Sequence, residues 1–125
     1  MTRINLIPVE ELHYKHLVAE YRELPRVVDL ARKLSPKEKV PTFRMGTGHV
    51  KFFYDKILFL KNRQDQLIAE MIKRGYEPNF TSTEKFLDVD PALLNDWTPS
   101  EKDIAISRAR IEEKLAKMVQ KEMIL

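Results

Sequence analysis

The chain has 125 residues and no cysteine, with a formal net charge of +3 and an isoelectric point near 9.1. Its length suits one domain with a buried core, and the missing cysteines exclude a disulfide scaffold, a thiol nucleophile and a thiolate zinc site. The longest apolar run, ILFL at 57–60, is far too short to cross a membrane, and no signal-peptide pattern precedes the first predicted helix. We therefore expect a soluble cytoplasmic protein with no membrane partner.

The first helical pattern is predicted to begin near Pro8, where a proline is followed by two glutamates in the first turn. Apolar residues then recur every three to five positions until Ser35-Pro36 ends the run: Leu12, Leu17, Tyr21, Leu24, Val28 and Ala31. Pro25 lies inside this run and lacks a backbone N–H, so the sequence predicts a kink there.

The second helical pattern follows Gly46-Thr47-Gly48 and ends at Gly75, the predicted C-terminal cap. Its apolar stripe has helical spacing: Val50, Phe53, Ile57, Leu60, Leu67 and Met71. Residues 76–97, which come next, combine turn-forming residues with scattered apolar ones and are predicted to form a long packed loop.

The third helical pattern begins at Thr98-Pro99-Ser100-Glu101, which we interpret as a capping box with Thr98 as the N-cap. Its apolar face consists of Ile104, Ile111, Leu115 and Met118. Since the sequence shows neither alternating strand patterns nor internal repeats, it predicts an all-α fold. We expect a single compact domain over 1–125, with three main helices and long connecting loops.

Basic residues form stripes on two of the predicted helices. In the third helix the spacing of four, three and four residues aligns Arg110, Lys114, Lys117 and Lys121. In the first helix Lys15, Arg22 and Arg26 share one side. One such stripe could be a solvated face, supported in the third helix by an ion pair between Glu113 and Lys117. Two stripes in a small domain predict a surface that contacts phosphates.

A carboxylate interrupts the basic residues of the first helix. Glu23 lies beside Arg22 and near Arg26, where a negative charge weakens binding to DNA. It is either an ion-pair partner of these arginines or a group that takes part in chemistry. His13 and His16 are spaced as two metal ligands could be, but no third ligand accompanies them. The run Gly46-Thr47-Gly48-His49 lacks the Gly-Lys-Ser/Thr ending of a phosphate loop, which favours a tight entry to the second helix.

Five segments, in the same order, resemble the pyrimidine-dimer DNA glycosylase family: MTRINL (1–6), HLVAEYRELPRV (16–27), GTGHVKFFYDK (46–56), LIAEMIKRG (67–75) and IAISRARIEEK (104–114). They cover roughly half of the chain and include parts of all three predicted helices. The combination of the first two segments is highly specific for that family.

The resemblance implies a DNA repair enzyme, both a DNA glycosylase and an abasic-site lyase, that excises UV-induced cyclobutane pyrimidine dimers. In that family the initiator methionine is removed, and the α-amine of the next residue, here Thr2, attacks the sugar C1′, expels the base and leaves an imine. β-Elimination then cleaves the strand. The reference pKa of an α-amine is about 7.7–8.0, against about 10.4 for lysine, so part of it is neutral near pH 7. Glu23 matches the family's catalytic carboxylate, which stabilises positive charge at C1′ and assists proton transfer.

The same residue matching implies a set of phosphate contacts: Arg3, His16, Arg22, Arg26, Arg110 and Lys114, to which the stripe of the third helix adds Lys117 and Lys121. The implied partner is double-stranded DNA that contains damaged bases or abasic sites. We expect a monomer that needs no metal and no cofactor.

The sequence departs from the phage member of the family in two places. That member has a longer basic loop after the first helix, where this chain has only LSPKEKVPTF (34–43). It also has an aromatic-rich tail implicated in lesion recognition, whereas this chain has no aromatic residue after Trp97. The chemistry is therefore predicted more firmly than the preferred lesion, although Tyr21 or Trp97 could compensate as stacking residues.

Two other functions are compatible with the residues. The chain could be a helical DNA-binding module that keeps the scaffold without catalysis. It could also be an enzyme of the same mechanism that acts on another damaged base or only on abasic sites. The joint presence of Thr2, Arg22, Glu23 and Arg26 argues against the first alternative, because binding alone has no use for the carboxylate.

Overall fold

The computed structural model describes residues 4–33 and 52–124, with side chains as far as residue 120. Three main helices lie in these ranges: α1 is Tyr14–Arg32, α2 is Ile57–Lys73 and α3 is Glu101–Ile124. Short 3-10 turns are formed by Val9–Glu11, Phe53–Asp55, Glu84–Leu87 and Pro91–Leu93. No strand occurs in the described ranges, so the all-α prediction is confirmed. No helix among the described residues is both long and apolar enough to cross a membrane.

The first helix begins later than the sequence predicts. Pro8 opens only the 3-10 turn Val9–Glu11, after which Leu12 and His13 are extended, with ψ angles of 134° and 146°. His13 is the N-cap of α1, since its Nδ1 accepts a hydrogen bond from the backbone N–H of Lys15 at 3.2 Å. This cap pairs an N–H of the first turn, and it fixes the start of the helix at Tyr14.

Helix α1 continues through Pro25 as far as Arg32. The proline has no N–H to donate to the carbonyl of Tyr21, one turn earlier. The side chain of Gln64 supplies the missing donor, with its Nε2 at 3.0 Å from that carbonyl oxygen. Gln64 is fully buried, so a side chain of α2 pairs the carbonyl that the proline leaves open. The predicted kink itself stays a prediction.

The end of α2 confirms Gly75 as the cap. Gly75 has a φ of 88°, a left-handed conformation that favours glycine. Its N–H donates to the Ile72 carbonyl at 3.0 Å, and the N–H of Tyr76 donates to the Met71 carbonyl at 2.9 Å. This pair of bonds is the Schellman motif. Phe52 is helical, and a 3-10 turn at Phe53–Asp55 separates it from α2, so the predicted continuous run is interrupted there. The predicted start after Gly48 lies outside the described residues.

The capping box of α3 exists, but it is formed by other residues than predicted. Ser100, not Thr98, is the cap: its Oγ accepts from the N–H of Asp103 at 3.1 Å. The Asp103 carboxylate accepts in return from the N–H of Ser100 at 3.3 Å. The motif is therefore shifted by two residues, and Pro99 precedes the cap instead of opening the helix. Aspartate, like glutamate, can accept the hydrogen bond that completes the box, so a pattern that requires glutamate does not detect this one.

The core lies between α1, α2 and the N-terminal segment, which we define as residues 4–12. This segment buries Ile4, Leu6, Ile7, Val9 and Leu12. Helix α3 covers it: the buried Ser107 Oγ accepts from the N–H of Leu6 at 3.0 Å, and Ile111 packs into the same core. The loop 76–97 is packed as predicted, with Phe86 and Leu93 buried.

The two aromatic residues considered for stacking on DNA lie in or against this core. Tyr21 is 3% exposed, and its hydroxyl both donates to the Phe80 carbonyl and accepts from the Phe80 N–H. Trp97 packs edge-on against Phe52 and Phe59, with ring centroids at 5.0 and 5.3 Å. Both side chains are thus engaged in folding, and the suggestion that either compensates on the DNA surface is not supported.

Candidate functional site

The predicted basic row of α1 lies on the surface. Lys15 and Arg22 are exposed, and the side chain of Arg26 is 73% exposed. The three residues fall on one side of the helix because their spacings of seven and four residues return to nearly the same angle. The row is free of contact with the core and can face a large ligand.

Glu23 lies at the edge of this row, where its side chain is 34% exposed. Its Oε2 accepts a hydrogen bond from Arg26 Nη1 at 3.3 Å, so the ion pair anticipated from the sequence is present. A pair this exposed contributes little to folding stability. The carboxylate is partly exposed, so a ligand on the surface can approach it.

His16 lies in the first turn of α1, and a charged residue of α3 influences it. Burial lowers the pKa of His16, and the nearby charges of Lys114 and His13 lower that pKa further. The ion pair between Arg108 of α3 and Glu11, with 3.1 Å between Nη2 and Oε2, places this part of α3 close to the start of α1. His16 precedes Glu23 by seven residues, two helical turns, and therefore lies on the same side of α1. The part of α3 that carries the predicted basic stripe therefore lies near the end of α1 that carries His16.

Two of the predicted phosphate-contacting residues each have a buried polar atom without a protein partner in the described part of the chain. His16 Nδ1 and Arg110 Nε are both buried and have no hydrogen-bond partner among the described residues. Unpaired buried polar groups are rare and costly in folded proteins, unless a ligand or water completes them. Two such atoms within a cationic region are consistent with contact to an anionic ligand.

The rest of the α3 stripe is mixed in character. Lys114 and Lys117 are exposed, and Lys117 Nζ lies 3.3 Å from Glu113 Oε1, which confirms the predicted ion pair. At Lys117 the solvated-face interpretation therefore holds in part. The side chain of Lys121 lies outside the described residues, so its expected phosphate contact stays a prediction.

Several predicted positions fall outside the described ranges. They include Thr2 and Arg3, the loop 34–43 and the Gly46-Thr47-Gly48-His49 run. Among the residues that are described, no group of three or more His, Asp or Glu side chains could hold a metal ion. A cavity of about 610 Å³ beside Phe59 and Trp97 is lined by none of the described candidate residues.

The core contains buried polar residues that the sequence analysis did not identify. Glu20 is 2% exposed, Arg63 6% and Asn5 9%. Arg63 Nε donates to Glu20 Oε2 at 2.7 Å. A signal for this pair was present in the sequence: Glu20 lies between Leu17 and Leu24 on the apolar side of α1, and Arg63 fills the corresponding gap in the stripe of α2. Opposite charges at two such interruptions predict a buried ion pair.

A comparison with known protein families gives a match over residues 1–84 to the family model described as pyrimidine dimer DNA glycosylase. The match contains Glu23 together with the basic row of α1, the N-terminal segment and nearly all of the core of α2. Helix α3 and its stripe lie beyond it. The match covers two thirds of the chain. It includes the TRINL and AEYRELPRV segments, so it agrees with the resemblance that these segments carry. The chain belongs to the pyrimidine dimer DNA glycosylase family.

Proposed function

We propose that this pyrimidine dimer DNA glycosylase is bifunctional. In this mechanism the α-amine of Thr2, exposed when Met1 is removed, is the nucleophile, and the enzyme also cleaves abasic sites as a lyase. The substrate is double-stranded DNA that contains a cyclobutane pyrimidine dimer or an abasic site. The observation that carries the proposal is the partly exposed carboxylate of Glu23, which is hydrogen-bonded to Arg26 at the edge of the basic row of α1.

The first half of the reaction breaks the N-glycosyl bond. The neutral fraction of the Thr2 amine attacks C1′ of the damaged nucleotide, and the base leaves with the electron pair of the glycosyl bond. Glu23 stabilises the positive charge that develops at C1′. Loss of a proton from the amine and opening of the sugar ring then give an imine between nitrogen and C1′.

The second half cleaves the strand. The imine acidifies the protons at C2′, and Glu23 is placed to accept one of them as a general base. The electron pair left at C2′ forms a double bond to C3′ as the 3′-phosphate leaves. Water then hydrolyses the imine and releases the enzyme, so that neither an oxidant nor a metal takes part.

The cationic residues supply binding and orientation. Contacts to phosphates dominate the affinity of proteins for DNA and fix the register of the protein on the duplex. Arg22 and Arg26 lie on the exposed row of α1, Lys114 is exposed on α3, and His16 on α1 and Arg110 on α3 are partly buried. This arrangement supports a duplex lying across both helices. Arg3, Lys117 and Lys121 belong to the same proposed set.

The proposal is tested with four duplexes of the same sequence. They carry a single dimer, a single abasic site, a uracil or no lesion. We expect nicking at the dimer and at the abasic site, with the 3′ end left as an unsaturated aldehyde. Cleavage at the abasic site should be faster, because there is no base to expel. In addition, no aromatic residue follows Trp97 in the sequence, so the aromatic tail implicated in lesion recognition in the phage member of the family has no counterpart that could stack on the dimer.

The outcomes separate the candidate functions. Cleavage of abasic DNA alone would identify a lyase without dimer activity, and preferred cleavage at uracil would identify another damaged base. Binding to all four duplexes without any cleavage would leave a DNA-binding module and would contradict the proposed chemistry.

A further inference from the structure

The N-terminal segment is tied to both long helices by a buried polar network. Glu20 on α1 accepts hydrogen bonds from the backbone N–H of Asn5 at 3.3 Å and from Asn5 Nδ2 at 2.9 Å. Arg63 on α2 completes the network: its Nε donates to Glu20 at 2.7 Å, and its Nη1 donates to the Ile7 carbonyl at 2.7 Å. The side chains of Arg63 and Glu20 are only 6% and 1% exposed.

Folding stability is a weak explanation for this network. The cost of removing two charges from water offsets most of their attraction, and apolar residues of similar volume often stabilise a core as well or better. The surroundings are apolar already, since Ile4 and Leu17 are fully buried beside the pair. A charged, hydrogen-bonded pair has a specific geometry that apolar packing lacks. It therefore holds the N-terminal segment in one position against α1 and α2.

The position of the N-terminal segment matters for the proposed reaction, because this segment leads to Thr2 and is anchored close to Glu23 in the sequence of α1. Glu20 and Glu23 are three residues apart on α1, about 4.5 Å along the helix axis, and at this spacing they are neighbours on the helix surface, Glu20 facing the core and Glu23 partly exposed. Thr2 precedes Asn5 by three residues, and three residues span at most about 11 Å. The anchor at Asn5 therefore limits where the Thr2 amine can lie relative to the Glu23 carboxylate.

We propose that Glu20, held by Arg63 and bonded to Asn5, is a positioning residue that sets the distance between the N-terminal amine and Glu23. This inference rests on the proposed function, in which the Thr2 amine is the nucleophile. Glu20 does not touch the DNA and acts only through the segment that it holds. Reacting atoms must come within about 3–3.5 Å in the right orientation, and a displacement of about 1 Å can cost about a hundredfold in rate.

The chain offers a matched control on the same segment. Glu70 and Arg74 form a second ion pair at 3.1 Å, in which the Glu70 side chain is 11% exposed. Arg74 Nη2 donates to the carbonyls of Val9 and Glu10 at 3.2 and 3.3 Å. This pair holds the segment four to five residues further from Thr2 than the anchor at Asn5. Glu70→Gln therefore makes the same chemical change without loosening the terminus.

The test measures the rate of borohydride trapping on a duplex with one abasic site, with enzyme in saturating excess. The proteins are the wild type, Glu20→Gln, Asn5→Ala and Glu70→Gln, each shown by circular dichroism to be folded at the assay temperature. We expect Glu20→Gln to trap about 10- to 100-fold more slowly, with unchanged affinity for DNA and an unchanged shape of the pH–rate profile. Asn5→Ala, which leaves the ion pair intact, should show a smaller loss in the same direction. Glu70→Gln should match the wild type within about twofold.

Wild-type trapping rates in folded Glu20→Gln and Asn5→Ala would overturn the positioning role. An equal loss in Glu70→Gln would also overturn it, because the effect would then be general loosening. If Glu20→Gln does not fold, Asn5→Ala decides the question alone. Failure of the wild type to form an adduct at Thr2 would overturn the proposed function and the positioning role together, and is distinguishable from the other results.

Discussion

Glu23 is the residue in which the structural and chemical interpretations compete most directly. The hydrogen bond from Arg26 at 3.3 Å supports a role as an ion-pair partner. The exposure of Arg26 and the cationic surroundings favour a chemical role, because an exposed pair contributes little to stability and a carboxylate repels phosphates. The two roles predict different behaviour of the same variant.

We expect Glu23→Gln to keep its affinity for DNA and to lose most of its catalysis. The amide keeps the size of the side chain but can neither carry the negative charge nor accept a proton as effectively. General acid–base and electrostatic contributions are each typically about 10² to 10³ or more in rate. Single-turnover cleavage of abasic DNA, measured beside binding to undamaged duplex, checks this. Turnover close to that of the wild type would return Glu23 to a structural role.

His16 should make folding stability depend on pH. Burial, Lys114 and His13 hold its pKa below the ordinary value of 6.5. As the pH falls from about 7 to about 5.5, the unfolded chain therefore binds a proton at His16 more readily than the folded chain does, and the free energy of unfolding decreases. In His16→Gln this contribution is absent. Urea unfolding of both proteins at the two pH values should show the wild type losing more free energy than the variant. An equal loss would show that His16 is not the group responsible.

At the scale of elements, the α3 stripe is the part of the proposed DNA interface that lies beyond the family match. We expect Arg110→Ala and Lys114→Ala each to weaken binding to damaged and undamaged DNA alike. Each lost phosphate contact should reduce the steepness of log affinity against log salt by about 1. Lys73→Ala, an exposed change at the end of α2, is the matched control and should leave the slope unchanged. Unchanged slopes for Arg110→Ala and Lys114→Ala would show that the stripe is only a solvated face.

The start of α3 can be tested independently of DNA. Since Ser100 Oγ accepts from the Asp103 N–H at 3.1 Å, Ser100→Ala should lower the free energy of unfolding by about 1 kcal/mol. Thr98→Ala, at the exposed position that the sequence favoured, should change it by less than about 0.5 kcal/mol. Urea denaturation measures both. The reverse order would restore Thr98 as the cap.

The elements show which signals in the sequence were reliable. Helical spacing of apolar residues found all three helices, because burial of one face dominates helix stability in proteins. The cap at Gly75 could be predicted because the left-handed φ at this position favours glycine, so the residue type itself marks the end of the helix. The starts of α1 and α3 were misplaced because caps depend on single hydrogen bonds, His13 to Lys15 and Ser100 to Asp103. Several residues near each boundary could form such a bond, and the sequence does not say which one does.

At the scale of the whole molecule, long-range polar contacts were the part that spacing could not supply. The bond from Gln64 to the carbonyl that Pro25 leaves unpaired, and the Glu20–Arg63 pair, each join residues 43 positions apart. Their polar side chains interrupt apolar stripes, so their burial could be inferred, but their partners depend on how α1 and α2 pack. The candidate DNA-binding residues could be identified from the sequence by a different route, since a carboxylate among arginines and paired basic stripes are local patterns.

The central claim is that the amine of processed Thr2 forms the covalent intermediate. Borohydride reduces an imine to a stable amine, so enzyme incubated with abasic duplex and borohydride should become linked to the DNA. Intact mass should first establish that Met1 has been removed, and mass mapping of the digested adduct should place the link at Thr2. A link at a lysine, or equal trapping by protein that retains Met1, would contradict the claim.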